Sequence, residues 1–84
     1  MVVANYKDYG CFDYPSDCKD LNGFRLGEVV YDEYGYVGII LALYNDGDVR
    51  VNSNGMMCVD KITKCPDEVA KKYLKRTKPI RCDV

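Results

Sequence analysis

Residues 27–62 contain four short apolar segments separated by three glycine-containing turns, and this pattern constrains the fold more than any other part of the chain. The turns are centred on Tyr34-Gly35, on Asn45-Asp46-Gly47 and on Asn54-Gly55. Asparagine and aspartate followed by glycine are the residues that tight hairpin loops prefer. Strands are therefore predicted at residues 28–32, 36–44, 48–52 and 56–60. Because strands joined by such short turns pair antiparallel, the sequence predicts a β-meander.

The second predicted strand is apolar on both of its faces. Alternation assigns one face to the interior of the sheet (Val37, Ile39, Leu41, Leu43) and the other face to Ile40, Ala42 and Tyr44. Gly38, within the same strand, predicts a bulge or a sharp bend. A strand that is apolar on both faces must be covered on both faces. We expect the rest of the chain to supply the second cover, and a partner or a second copy is the alternative.

Two flanking segments are available for this role. Residues 1–24 form an aromatic, irregular N-terminal extension that we expect to pack on the meander. Residues 65–77 are predicted to be a helix, because Cys65-Pro66-Asp67-Glu68 places proline and two acids at its start. Val69 and Tyr73 are predicted to form its apolar stripe, with Ala70 and Leu74 beside it. Residues 25–64 are the predicted core, and residues 78–84 are a tail.

The charge of the chain is unevenly distributed. Residues 1–60 contain 4 Lys/Arg and 10 Asp/Glu, whereas residues 61–84 contain 8 Lys/Arg and 3 Asp/Glu. The N-terminal residues have no basic start followed by an apolar core, and no apolar run approaches the roughly 20 residues that cross a bilayer. We therefore expect a cytoplasmic protein with reduced thiols and no membrane partner.

The arrangement of the meander resembles the SH3-like small β-barrel superfold, including KOW-like modules. The resemblance covers residues 27–62 and rests on Gly27-Glu28-Val29-Val30-Tyr31-Asp32, Gly35-Tyr36-Val37-Gly38-Ile39-Ile40, Asp48-Val49-Arg50-Val51 and Ile62. It implies a mainly β fold, a small SH3-like barrel followed by a short C-terminal α-helix. Members of this superfold bind proline-rich peptides, methylated tails, RNA or ribosomal partners. This chain has no tryptophan for a peptide groove and no basic loop in its acidic body, so the resemblance implies a fold and not an activity.

Catalytic and metal chemistry have little support in the sequence. The chain contains no histidine, which removes the usual general base and the commonest nitrogen ligand. Cys11/Cys18 and Cys58/Cys65 share a spacing of seven positions, but structural zinc sites usually place thiolates two to four residues apart. The paired carboxylates, such as Asp46 and Asp48, lie at predicted hairpin ends. We therefore predict no enzymatic activity, no cofactor and no metal site.

The sequence favours a small protein-interaction module that binds a protein partner or associates with itself. The candidate binding residues lie in or beside the first two strands: Tyr31, Tyr36, Ile40 and Tyr44. The alternative is a nucleic-acid-associated module. In that case the basic C-terminal helix would contact phosphates through Lys71, Lys72, Lys75 and Arg76.

Overall fold

The computed structural model describes residues 3–6, 14–52 and 55–76 of the chain, and the predicted tail 78–84 lies outside them. The described part has seven strands, one helix and a 3₁₀ turn at Val59–Lys61. The elements are β1 (Asp20–Leu21), β2 (Phe24–Arg25), β3 (Val29–Tyr31), β4 (Val37–Leu43), β5 (Asp48–Val51), β6 (Gly55–Cys58), β7 (Thr63–Lys64) and α1 (Asp67–Arg76). All four predicted meander strands are present within one or two residues of their expected bounds.

The described strands form two antiparallel sheets. β1 and β2 make a two-residue hairpin, and the other five strands form a sheet in the order β6-β5-β4-β3-β7. The prediction of a mainly β chain with a short C-terminal helix is confirmed. The predicted barrel is not closed among the described strands, because β6 pairs only with β5 and β7 pairs only with β3.

A bulge in β4 corrects the predicted division of its side chains between the two faces. Ile40 is opposite Val51, but Ala42 is opposite Arg50, so one extra residue is inserted at Leu41 rather than at Gly38. Because an extra residue reverses the alternation, Ile40 and Leu43 share one face and Ile39 and Leu41 share the other.

The two faces of the sheet carry two separate groups of buried residues. The first core cluster consists of Val30, Ile40, Leu43, Val49, Val51, Val59 and Ile62, and the region from Cys18 to Leu26 packs against it. The second core cluster consists of Val29, Ile39, Leu41 and Ala70. Helix α1 and the N-terminal segment pack against the second cluster through Ala4, Tyr6, Tyr14, Tyr73 and Leu74.

The docked face of α1 differs from the predicted stripe. Ala70 is buried and Tyr73 and Leu74 pack on the second cluster, whereas Val69 remains 42% exposed. Tyr73 is thus shared with the predicted stripe, and the docked face is formed by Ala70, Tyr73 and Leu74 rather than by Val69 and Tyr73.

The N-terminal segment is tied to the sheet by backbone contacts. Val3 forms a bridge with Glu28, and the Ala4 N–H donates to the Gly27 carbonyl at 2.8 Å. Gly27 has φ +83°, and a Cβ at this position would collide with the carbonyl oxygen of Ala4. The N–H of Gly27 donates in turn to the Ile40 carbonyl. Glycine is therefore required here both for the backbone conformation and for the close approach of the two segments.

Ser16 and Asp17 form hydrogen bonds with the C-terminal end of β4, which extends past β3. The Leu43 N–H donates to the Ser16 hydroxyl oxygen at 2.9 Å, and the Asp17 N–H donates to the Leu43 carbonyl at 2.8 Å. The Asp17 carboxylate also accepts the Asn45 N–H. These bonds satisfy backbone groups that β3 is too short to reach.

Candidate functional site

The β3–β4 turn is held rigidly by a buried aspartate. The Asp32 side chain accepts the N–H groups of Tyr34 and Tyr36 through the same oxygen, Oδ1, at 2.9 Å in each case. Its backbone N–H donates to the Tyr36 carbonyl and its carbonyl accepts the Gly35 N–H. This is the local pairing that aspartate makes at turns, and Gly35, with φ +86°, supplies the left-handed position. Asp32 therefore has a structural role in fixing the turn.

This turn presents two tyrosine side chains to solvent. Tyr34 is 78% exposed and Tyr36 is 64% exposed, the highest values among the exposed large apolar side chains of the described residues. Tyr31, at the end of β3, is half-buried. We call Tyr31, Tyr34 and Tyr36 the tyrosine end of the sheet. A phenol ring held on a fixed turn is suited to recognition, because few degrees of freedom remain to be lost on contact.

The predicted binding residues do not form a single site. Ile40 is fully buried in the first core cluster, so its side chain has no surface for a partner while the sheet is assembled. Tyr44 is half-buried and follows the far end of β4. Eight residues of extended chain separate it from Tyr36, about 25 Å at roughly 3.3 Å per residue. Of the four predicted binding residues, Tyr31 and Tyr36 are thus the two that lie at the turn end of the β3–β4 hairpin.

Tyr34 belongs to the same end, although the sequence identified it only as part of the predicted turn Tyr34-Gly35 and not as a binding residue. Its signal was the run Asp32-Glu33-Tyr34-Gly35, in which an aspartate precedes a turn glycine by three positions. Such a run predicts a side-chain-capped turn that leaves its central residues exposed.

The other buried carboxylate, Glu28, has a structural role. Its side chain accepts the Arg25 N–H at 2.9 Å and forms an ion pair with Lys64 Nζ at 3.3 Å. Lys64 also lies over the Phe24 ring, 5.7 Å from its centre. Glu28 therefore links β2 to β7 at the corner of the sheet.

Two polar contacts join the sheet to the segments that cover its second face. Asn52 Oδ1 accepts the Ile39 N–H at 2.8 Å, and its amide nitrogen donates to the Tyr73 hydroxyl at 3.4 Å. The guanidinium of Arg50 stacks on the Tyr14 ring, 4.2 Å from its centre. These two contacts hold helix α1 and the N-terminal segment against the sheet.

The predicted basic surface of α1 is partly present. Lys71, Lys72 and Lys75 are exposed, and with Leu74 they border an open depression of about 370 Å³. The side chain of Arg76 lies outside the described part of the structure. Two other lysines are already engaged, since Lys61 pairs with Glu33 at 3.7 Å and Lys64 with Glu28.

The described thiols are dispersed. Cys18 packs against the first core cluster, Cys65 against the second, and Cys58 is exposed at the end of β6. Burial raises the pKa of the Cys65 thiol. Within residues 3–6, 14–52 and 55–76, no three Cys, Asp or Glu side chains are grouped so as to hold a metal ion. Cys11, a member of the zinc spacing considered above, lies outside the described residues.

Comparison of the chain with models of protein families, with curated protein sequences and with solved structures finds no match. In the part of the chain that the structure describes, no helix is long and apolar enough to cross a membrane.

Proposed function

We propose that this protein is a small, non-enzymatic protein-interaction module that binds its partner through the tyrosine end of the sheet. The observation that carries the proposal is the exposure of Tyr34 and Tyr36 on a turn fixed by Asp32. Elsewhere both faces of β4 are covered by the chain itself, so the predicted apolar face is used internally.

The energetics of protein interfaces favour such a site. Tyrosine is enriched among residues that contribute most to binding, since it offers a large apolar surface and one hydroxyl group at a low entropic cost. The hydrogen bonds that Asp32 accepts from the N–H groups of Tyr34 and Tyr36 fix the turn, which reduces the entropic cost of binding further. Tyr31 extends the aromatic surface along β3.

The strand arrangement supports an SH3-like fold for the core, residues 25–64. After the four-strand meander and the 3₁₀ turn, β7 returns to pair with β3, the first strand of the meander. This return brings the two ends of the meander region together, as a small barrel requires. The bulge at Leu41 supplies the local bend and twist for such curvature.

Two observations support a non-enzymatic role in the cytoplasm. The buried carboxylates Glu28 and Asp32 are both engaged in structural bonds, and the chain has no histidine. Cys18, Cys58 and Cys65 are free thiols, which suits a reducing compartment.

The test is an affinity capture from the cells that naturally make the protein, with quantitative mass spectrometry. Three baits are compared: the native chain, the double variant Tyr34→Ser/Tyr36→Ser, and Val69→Ser as a control that removes an exposed apolar side chain from α1. A protein retained by the first and third baits, lost from the double variant and then bound directly in purified form supports the proposal. Equal capture by all three baits contradicts it.

Nucleic-acid association is the second candidate, favoured by the exposed lysines of α1. A gel-shift titration with generic RNA and duplex DNA at 25–200 mM salt distinguishes it. Binding that falls steeply with salt and disappears in Lys71→Glu/Lys72→Glu/Lys75→Glu would support this function. No binding at the lowest salt concentration eliminates it.

A further inference from the structure

Among the described strands, β6 is an outer strand of the five-stranded sheet and pairs on one edge, with β5. It pairs with β5 through four successive residues without a bulge, from Val51 opposite Gly55 to Asp48 opposite Cys58. No described residue bonds to its other edge. Alternate residues of such a strand direct their N–H and C=O groups away from the sheet, where they can pair with another strand.

The opposite edge of the sheet differs. β7 has only two residues, one of them Lys64, and Pro66 follows closely. A short strand, a charge and a nearby proline are the features with which proteins block edge-to-edge pairing. The residues of β6, Gly55-Met56-Met57-Cys58, include neither a charge nor a proline.

The side chains of β6 define what can pair with it. Met57 packs on the first core cluster, and Met56, which alternation places on the opposite face, is 45% exposed. A matching strand must therefore be uncharged and apolar on both faces. Among the described strands that have a free edge, β1, β2 and β7 carry Asp20, Arg25 and Lys64, and β6 itself is the strand that meets this condition.

We propose that two copies of this chain associate through antiparallel pairing of their β6 strands, joining the two five-stranded sheets into one of ten strands. Met56 of each copy then lies directly or diagonally across from its counterpart on one face, and Met57 does so on the other face. The contact is the same on both copies, so it closes as a dimer. Four residues per strand make a small interface, so a weak, concentration-dependent dimer is expected.

The test is sedimentation equilibrium of the full chain from about 5 to 500 µM, in reducing agent so that the exposed Cys58 cannot form a cross-link. Met56→Lys places two ammonium groups near each other across the junction, and we expect at least a tenfold weaker dimer. Val69→Lys, which adds the same charge at a similarly exposed position on α1, should dimerise like the native chain. Circular dichroism and urea unfolding confirm that both variants remain folded.

Hydrogen exchange of the native chain provides a second readout that needs no substitution. The outward-pointing amides of β6 should become slower to exchange as the concentration rises, whereas those of β7 should not change. A monomer at every concentration, a dimer that survives Met56→Lys, or open-ended assembly would each overturn the proposal. Open-ended growth is the signature of pairing between unlike edges.

Discussion

The two faces of the central sheet are covered in different ways. The buried members of the first core cluster come from the meander, the 3₁₀ turn and Ile62, and the adjoining region from Cys18 to Leu26 packs against it with partly buried side chains. The second cluster has three strand residues, and Ala70 of helix α1 is its fourth buried member. The second face therefore depends on segments that dock from outside the meander.

This difference explains where the free surface of the molecule lies. Neither face of β4 is left free for binding, because Ile40 lies in the first core cluster and α1 and the N-terminal segment pack on the opposite face, around Ile39 and Leu41. Among the described residues, the surfaces that stay uncovered include the tyrosine end, the lysines of α1 and the outer edge of β6. The covers on the second face also determine how the chain should respond to substitutions.

The largest contrast should come from two leucines on the same strand. Leu43→Ala empties a fully buried position in the first cluster and should lower the free energy of unfolding by about 3–4 kcal/mol. Leu41→Ala, in the second cluster, should cost about 2 kcal/mol, because the docked helix can shift to fill part of the cavity. Urea unfolding of both variants measures this. Equal losses would contradict a difference between the faces.

Introducing a charge under the helix tests its docking directly. Ala70→Glu would bury an unpaired carboxylate and should cost about 2–3 kcal/mol, a loss limited by undocking of α1. Val69→Glu, one residue earlier and exposed, should change stability by less than about 0.5 kcal/mol. Urea unfolding gives both values. If Val69→Glu lowered the stability more than Ala70→Glu, the docked face would be the predicted stripe of Val69 and Tyr73.

A pair of glycine substitutions isolates the attachment of the N-terminal segment. Gly27 and Gly35 both have positive φ, so alanine costs about 1 kcal/mol of backbone strain at either position. At Gly27 the added Cβ also displaces Ala4, whereas at Gly35 it meets nothing within 4 Å. Thermal unfolding should therefore show Gly27→Ala to be less stable by a further ~1 kcal/mol. Equal losses of stability in Gly27→Ala and Gly35→Ala would mean that the attachment of the N-terminal segment contributes nothing to the free energy of unfolding.

The smallest effect concerns the half-buried thiols, one on each face. Burial raises the pKa of Cys65, so the unfolded thiol, with its ordinary pKa of about 8.5, ionises first as the pH rises. The stability held by the protonated thiol is complete below that pH and is lost progressively as the pH rises above it. Iodoacetamide labelling at pH 8 should modify Cys65 roughly tenfold more slowly than exposed Cys58. In Ala70→Glu, labelling of Cys65 should accelerate and that of Cys18 should not.

Local signals in the sequence predicted the strands and turns well. Asn45-Asp46-Gly47 specifies its own turn, and Gly47 adopts φ +94°. The residues of β5 likewise alternate in a local pattern, with Val49 and Val51 buried and Arg50 between them half-buried. These features depend on residues that are neighbours in the chain, which is why they can be read from it.

The features that required the structure depend on distant residues. Nothing in the apolar run of β4 marks Leu41 as the extra residue, because the bulge is set by pairing with β5. The spacing of α1 fits two neighbouring stripes, and the contact with the sheet selects the one that contains Ala70. The burial of Ile40 follows from the bulge, so the candidate site that included it could not be corrected from sequence alone.

The central claim is that helix α1 covers the second face within a single chain. The most direct measurement is a nuclear Overhauser experiment on the dilute, monomeric protein, between the Tyr73 ring and the methyl groups of Val29, Ile39 and Leu41. Strong cross-peaks to the second cluster and none to Leu43 are predicted. Absence of these cross-peaks, with chemical shifts of an undocked helix, would contradict the account.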